Sequence, residues 1–459
     1  MYALSNIWIK RHALFTLFVW WCLIAVDFSA DALAQPDNTL MELLDDAGSL
    51  PDSSEAVTAI SLEQVIQIAE QSNRDIEQAR IAVQQAQGAV EEQTASYQPT
   101  VGVSAAGDYD LPLTSDYDDD ATLSGGVDVS YTLLDFGRRE AALDISNAEL
   151  RVAELELQQV QQTIKLDVAT LYYDLQNAIE NVRINQAAVA NSEQNLRDTE
   201  IREQAGAGTR YDTLQARTQL ADDRVNLLSA QNDQAIAEKS LIQILGIGET
   251  VESLPIAPIA RRSAWPLGLD ETLAQAYEIR SELAQQQLEQ SIQQNTARLA
   301  WAELSPEVSV SAGYDFQNSL IDTLDTFNSW QDGLNMSLDM EWTLYDGGVA
   351  RAQASQAESS EAIALSELNN QRDQIRLEVQ TAYLTLQSET EQITAAGLGV
   401  SSAEEGLRLA RLRFQAGVGT QLEVLEAQSD LTDAESSLAQ AITAYNQATV
   451  ELERSVSGL

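Results

Sequence analysis

Residues 333–348 read Gly333-Leu334-Asn335-Met336-Ser337-Leu338-Asp339-Met340-Glu341-Trp342-Thr343-Leu344-Tyr345-Asp346-Gly347-Gly348. Leu334, Met336, Leu338, Met340, Trp342 and Leu344 alternate with Asn335, Ser337, Asp339, Glu341 and Thr343. A period of two puts one set on each face of a strand. Past Gly348 the chain is rich in Ala, Gln and Glu and holds no further Pro, so a strand passes through Asp-Gly-Gly into a very long helix. The same passage occurs earlier. Val127, Val129, Tyr131 and Leu133 alternate with Asp128, Ser130 and Thr132 before Asp135-Phe136-Gly137 and another long Pro-free run.

The duplication extends along the chain. Leu62, Pro99, Val101, Val103, Ser104 and Ala105 recur 207 residues on as Leu269, Pro306, Val308, Val310, Ser311 and Ala312. Beyond the loop at 111–120 the offset is 211: Thr132, Leu133, Asp135 and Gly137 recur as Thr343, Leu344, Asp346 and Gly348. Gln204-Ala205-Gly206 and Gly208-Thr209 recur as Gln415-Ala416-Gly417 and Gly419-Thr420. Two copies of one unit follow, at 61–246 and 269–459, each a helical segment (62–98; 269–305), a strand pair (about 100–134; 307–345), a long helix (138–205; 349–416) and a last helix (209–246; 420–457). Residues 247–268, with Pro255, Pro258 and Pro266, form an inter-repeat linker, and 35–60 an acidic, loosely held N-terminal segment.

A helix of this length spans roughly 100 Å at 1.5 Å per residue. Its apolar positions Leu157, Val160, Ile164, Val168, Leu171, Leu175, Ile179 and Val182 make a coiled-coil stripe nearer an 11-residue than a 7-residue period. The two shorter helices of a copy, end to end, match the long one and suit it as an antiparallel partner. The strands fit either a half-buried sheet in a soluble protein or a membrane barrel. Their length, aromatics near the ends and the acidic loop Asp116, Asp118–Asp120 favour the barrel. Four strands cannot close one, and open edges cannot face lipid, so several chains must share it. Each Gly-x-Gly-Thr must reverse the chain, Gly supplying positive φ and Thr an N-cap.

Composition narrows function. The chain has 459 residues, 44% of them hydrophobic, with 71 Asp and Glu against 26 Lys and Arg, a net charge of −45. Nucleic acid is excluded as a partner, since phosphate binding needs basic stripes. Lys10 and Arg11, the apolar run Ala13–Val26 and Ala32-Leu33-Ala34 lay out a secretory signal peptide at 1–34, the alternative being an uncleaved anchor. The chain's only His and Cys are His12 and Cys22. A mature chain would therefore hold neither, which removes disulfides, His and Cys metal sites and Ser-His-Asp or Cys-His catalysis. No Gly-rich phosphate loop or isolated acidic pair is present, so neither an enzyme nor a cofactor or metal is implied.

Tyr131-Thr132-Leu133-Leu134-Asp135-Phe136-Gly137-Arg138-Arg139 and Trp342-Thr343-Leu344-Tyr345-Asp346-Gly347-Gly348 resemble the strand-to-helix motif of the TolC family of outer-membrane efflux proteins. The run from Arg413 to Ala427 resembles that family's helical hairpin tip, and the likeness covers nearly all of 60–457. The resemblance implies a mainly α fold with a membrane β-barrel portion: long antiparallel coiled-coil helices plus four strands per chain, completing a twelve-stranded barrel and an α-helical tunnel as a homotrimer. It implies a passive exit duct in the outer membrane of a Gram-negative-type bacterium, with a large periplasmic part. A periplasmic adaptor (membrane fusion) protein and an inner-membrane pump of RND or ABC type would dock below, for drug efflux or type I secretion.

On the same resemblance, Glu423 and Glu426, on one helix face, ring the periplasmic gate, joined by Asp212 at the first-copy position. A solvated acidic face is the alternative. The adaptor-contact tips are Gly206, Gly208, Thr209, Arg210, Gly417, Gly419, Thr420 and Gln421; the strand-to-helix motif rests on Asp135, Gly137, Asp346 and Gly348. Phe414 stands where relatives carry a Tyr that latches the closed tips. Asp128, Asp339 and Glu341 would make the lumen acidic, favouring cations. The competing class is a non-channel periplasmic or surface coiled-coil structural protein, soluble without detergent. A carboxylate-based hydrolase comes third and lacks a clustered site.

Overall fold

The computed structural model describes residues 60–110, 120–248, 254–319 and 330–457. The signal peptide, all but the last residue of the 35–60 segment and nearly all of the acidic loop lie outside the described residues. The elements in order are α1 (Leu62–Ser72), α2 (Arg74–Ala95), β1 (Thr100–Asp110), β2 (Asp120–Leu134), α3 (Arg138–Gln204) and α4 (Arg210–Leu245). They are followed by α5 (Leu269–Ile279), α6 (Ser281–Ala302), β3 (Glu307–Ser319), β4 (Gln331–Glu341), α7 (Val349–Gln415) and α8 (Gln421–Ser457). The fold is mainly helical with four strands.

Each long helix has 67 residues. In the first half α2 packs along its first part and α4 along the rest; in the second half α6 and α8 do the same for α7. The apolar stripe faces these partners. Ile164, Val168, Leu175 and Val182 are buried, while Leu157, Val160, Leu171 and Ile179 are half-buried around them. The main core gathers Val65, Ala69, Ile164, Val168, Tyr172, Leu175, Leu241 and Leu245, where α1, α3 and α4 meet.

The expectation of single helical segments at 62–98 and 269–305 needs correction. Each is two helices, broken at Asn73 and at Arg280, whose backbones leave the helical region with ψ 133° and 120°. They end at Ala95 and Ala302 because Pro99 and Pro306 bar helical backbone at the residue before them. At the first break Asn73 Oδ1 accepts from the N–H groups of Asp75 and Ile76, and Asn73 Nδ2 donates to the Ile244 carbonyl, 2.8 Å away. At the second, Arg280 Nη1 donates to the Ser455 carbonyl at 3.1 Å. The Arg280 side chain, 4% exposed, is paired with Glu282 and Glu378 at 2.7 and 3.0 Å. Residues 254–268 strap this level: Gln176 Nε2 donates to the Ala257 carbonyl, Asn446 Nδ2 to the Ala260 carbonyl, and Arg262 pairs with Glu453.

The four strands form one antiparallel sheet in the order β1-β2-β3-β4. Its outer strands β1 and β4 have no further partner among the described strands. The strand expected to run through Leu344 stops at Glu341, which pairs with Glu307, the first residue of β3. Nothing remains beyond for Trp342 to pair with, and its Nε1 donates instead to the Leu304 carbonyl.

Gly246 ends α4 at φ 70°, and a Cβ there would lie 2.3 Å from the Ser72 carbonyl oxygen. Gly248, at φ 71°, has nothing within 4 Å. Gly248→Ala should carry only the left-handed backbone cost of about 1–2 kcal/mol, whereas Gly246→Ala must also separate α4 from the α1/α2 break. Thermal melting by circular dichroism should show the larger drop in Tm for Gly246→Ala; equal drops would mean that the joint gives way freely.

Candidate functional site

Three levels carry chemistry: the sheet, the strand-to-helix junctions and the hairpin tips. Cross-strand register assigns the sheet's faces. Val103 pairs with Val127 and Val127 with Tyr314, and Tyr314 with Leu334; Val310 pairs with Leu338 and Ala312 with Met336. This face is apolar, and Val103, Leu334, Met336, Leu338 and Met340 are exposed on it. The opposite face carries Asp128, Asp315, Asp339 and Glu341, and none of the four strands holds a Lys or Arg. Its acids lie flat. A Cβ on Gly102 would meet Asp128 Oδ1 at 2.6 Å, and one on Gly126 would meet Asp315 Oδ1 at 2.5 Å. The glycines are sites of close approach.

At the junctions Asp135 and Asp346 cap the long helices. Asp135 Oδ2 accepts from the backbone N–H of Arg139 at 3.0 Å and from its Nε at 2.7 Å. Asp346 accepts from Gly348 N–H at 2.7 Å and Ala350 N–H at 2.6 Å. Gly137 and Gly348 are left-handed, at φ 94° and 95°. Burial, the largest single influence, pushes the Asp135 carboxyl up, but the Arg139 N–H and guanidinium and the Gly137 N–H together hold it below the usual range. The Ala350 and Gly348 N–H groups hold the Asp346 carboxyl low.

Both tips close by one pattern. Ala207 N–H donates to the Arg202 carbonyl and Gly206 N–H to that of Glu203; Val418 and Gly417 donate likewise to Arg413 and Phe414. The first glycine of each pair is left-handed, at φ 73° in Gly206 and 74° in Gly417. The second is not. A Cβ on Gly208 would press on Arg202, and one on Gly419 on Arg413 and Phe414, at 3.0–3.2 Å. Thr209 and Asp212 form a reciprocal capping box, and Thr420 Oγ1 accepts from Glu423 N–H.

The expected gate acids sit in different settings. Glu426 is exposed, Glu423 is half-buried and 3.3 Å from Arg413, and Asp212 is engaged by Thr209. Gln421, expected among the adaptor contacts, is buried and donates to Asn195 Oδ1 at 2.8 Å. Its neighbours Val418 and Leu422 are exposed instead, as is Arg210 at the other tip. The Phe414 ring lies 4.2 Å under the Arg202 guanidinium, whose Nη2 donates to the Phe414 carbonyl.

Sequence reasoning missed a polar seam between the hairpins. Arg411 donates to Asn191, Gln428 to Ser192, and Ser192 to Asp223. Asn191, Asn195, Arg202, Arg411 and Phe414 line a cleft of 610 Å³ there. The available signal was a second row on α3, Ile184, Ala188, Asn191, Asn195 and Arg202 at helical spacings of 4, 3, 4 and 7, along which apolar residues give way to polar ones.

Comparison with known proteins agrees with this geometry. The model of the family "Outer membrane efflux protein" matches residues 65–247 and 272–458. The pyoverdine export outer membrane protein OpmQ of Pseudomonas aeruginosa is 25% identical over 90% of this chain and 88% of its own. Outer membrane protein TolC of Escherichia coli is 24% identical over 86% and 81%. Among solved structures, CusC superposes with a TM-score of 0.75 at 21% identity, covering 89% of this chain and 99% of that one, a likeness of fold. The chain belongs to the outer membrane efflux protein family. It is an outer-membrane exit duct, with its helices as the periplasmic part.

The low carboxyls at the junctions fix a pH dependence. A folded-state value below the unfolded one gives stability that is complete above about pH 4 and is lost as pH falls through that value toward the depressed one. Asp135→Asn with Asp346→Asn should lower Tm at pH 7, and the gap to the parent should shrink below about pH 4. A gap of constant size across melts at pH 7 and pH 3 would remove the carboxylates from that role.

Proposed function

We propose that three copies assemble as a homotrimer, twelve strands closing one barrel and the helices one tunnel, and that this duct takes cargo from an inner-membrane pump through a periplasmic adaptor. The observation that carries this is the sheet: four strands, two open edges and one exposed apolar face on a helical column roughly 100 Å long. Lipid tolerates the apolar face but not open edges, so copies must pair edge to edge. The column supplies its own interface. Tyr211, Leu214, Val225, Leu228 and Ile236 form an exposed stripe on α4, and Leu384, Leu398, Leu409 and Leu412 one on α7. Two different patches make a head-to-tail contact, which closes into a ring when the rotation allows.

In this reading the tips at Gly206, Gly208, Thr209 and Arg210 and at Gly417, Gly419 and Thr420 meet the adaptor, with Val418 rather than the buried Gln421 at the second. Glu423, Glu426 and Asp212 line the gate. Arg413 offsets Glu423, whereas Glu426 and Asp212 have no cationic partner among the described residues, Asp212 being held by Thr209 instead. The pump is of RND or ABC type, the protein is a conduit rather than an enzyme, and the acidic inner wall favours cations over anions. Relatives are named for pyoverdine export and for cation efflux, so the fold does not choose the cargo.

Single-channel conductance in a planar bilayer tests the duct and the gate. The parent should give a small cation-selective conductance, Glu423→Ala with Glu426→Ala should raise it or reduce its selectivity, and Arg413→Ala should increase cation preference. Conductance indifferent to these changes sinks the gate assignment; no conductance, from protein soluble without detergent, would favour a coiled-coil structural protein. Val225→Glu with Leu228→Glu should convert detergent-extracted trimer to monomer in native mass spectrometry, and a trimer that survives would place the interface elsewhere.

A further inference from the structure

The sheet and its flanks are the most one-sided part of the chain. Residues 81–137 and 299–350 hold nineteen Asp and Glu and no Lys or Arg. At the helix end of the sheet two acids stand directly opposite each other, Glu307 on β3 and Glu341 on β4. It is there that a basic group reaches the strands: Arg138, the first residue of α3, lies 3.4 Å from Glu307. Other strand carboxylates are placed against neutral neighbours. Asp128 and Asp315 lie over Gly102 and Gly126, and Asp332 and Asp315 accept from the Tyr314 hydroxyl and Asn335 Nδ2. Like charges facing each other across strands are destabilising, and within the chain that cost is offset by a cation or avoided by spacing.

The two outer strands have no such provision. β1 carries Asp108 and β4 carries Asp332, Asp339 and Glu341, with no Lys or Arg on either. Asp108, Asp339 and Glu341 share the polar face. In the internal repeat the junction after β4 matches the one after β2, but at the offset of 211 the place of Arg138 is taken by Val349. The next basic residue, Arg351, comes two positions later. Where β4 of one copy meets β1 of another, the carboxylates therefore come together without the guanidinium that serves β2 and β3.

Screening decides whether such a seam closes. Cross-strand side chains stand about 4.5–5.5 Å apart. The Debye length is roughly 30 Å at 0.01 M salt and roughly 3 Å at 1 M. At the lower concentration every carboxylate of the sheet is felt across the seam, and at the higher one hardly the nearest. We propose that the β1 edge of one copy and the β4 edge of the next form an interface that closes only when dissolved cations screen its carboxylates, so that ionic strength sets assembly of the duct. Without screening, the same acids keep the open edges from pairing indiscriminately. The net charge of −45 on each chain acts in the same direction. This rests on the trimeric reading of the sheet, and the experiment separates the two.

The full chain is unfolded in urea, diluted into non-ionic detergent over a series from about 0.01 to 1 M NaCl, and followed by sedimentation velocity. The trimer fraction should rise with NaCl and equally with choline chloride. It should stay level in sucrose, which strengthens apolar burial without adding ions. Asp108→Asn with Asp339→Asn and Glu341→Gln should move the midpoint to several-fold lower salt. Glu91→Gln with Glu92→Gln and Glu149→Gln removes the same charge from exposed helix positions and should leave the midpoint in place. A trimer fraction indifferent to salt overturns the proposal, and the parent alone can show this if the edge variant does not fold. Equal assembly in sucrose, a response to sodium but not choline, or a helix variant that shifts as far as the edge variant overturns it too. Monomer under every condition overturns the trimer itself.

Discussion

Each long helix needs a partner of its own length, and neither half supplies one in a single piece. Two shorter helices meet end to end along it, so free helix ends are brought together inside a packed column, each with backbone groups that lack intrahelical partners. The solution is one side chain at each break. Asn73 satisfies both ends at once, accepting from two N–H groups of α2 and donating to a carbonyl of α4. Arg280 reaches the matching carbonyl of α8 and brings a charge that Glu282 and Glu378 balance. Removing one partner of such a buried pair leaves an uncompensated charge, which costs more than the pair contributes. Gly246 packs on the Ser72 carbonyl, and the strap at 254–268 is bonded to α3 and α8, at this same level.

From that belt the column changes character toward the tips. Around the breaks the contacts are apolar: Val168, Leu175, Leu241 and Leu245 on one side, Tyr445, Leu452 and Val456 on the other. Near the tips the second hairpin keeps an apolar seam of its own, Leu407, Ala410 and Val424. Between hairpins the bonds run through Asn191, Asn195, Arg202, Arg411, Gln421 and Gln428. Hydrogen bonds exchanged with water cost little net free energy, whereas separated apolar surface costs in proportion to area. By that comparison the polar seam costs less to part than the apolar belt.

Sequence period was a good guide wherever one face of an element is buried or faces lipid. The alternation of Leu334, Met336, Leu338 and Met340 and the stripe from Leu157 to Val182 both reappear as faces in the structure. It failed where a contact distant in sequence decides. Ser72-Asn73 with Asp75 behind it is a local N-cap signal that period alone passes over, whereas nothing around Arg280 breaks a helix by propensity; at both breaks a carbonyl of α4 or α8 arrives to take a side-chain donor. Trp342 fits its strand's alternation, but β3 begins too late to pair with it, and the Leu304 carbonyl claims its N–H. Among the site residues, Asp135, Asp346 and the paired glycines were readable because backbone reversal and capping are local problems. The burial of Gln421 was not, since it depends on Asn195 of another hairpin.

The distribution of arginine ties these levels to passage through the duct. With 71 acids against 26 basic residues, carboxylates are in large excess over the cations that could pair with them. Many arginines that join different elements lie where the chain changes direction: Arg138 at the junction, Arg262, Arg280 and Arg454 at the belt, Arg202, Arg411 and Arg413 at the tips, while Arg224 and Arg298 pair with Glu193 and Asp144 along the column. Several others pair within one helix, where exposed pairs contribute little. The strands hold no basic residue, so carboxylates of the polar face laid over glycine have no cation among the strands to offset them. Positive charge is thus concentrated near the column's turns, and the polar face of the sheet keeps a negative field that acts over roughly a Debye length of 8–10 Å. In the proposed gate a passenger would meet that field most strongly at the tip, where the balance between Arg413 and the acids Glu423, Glu426 and Asp212, rather than the total charge of the chain, would set what enters.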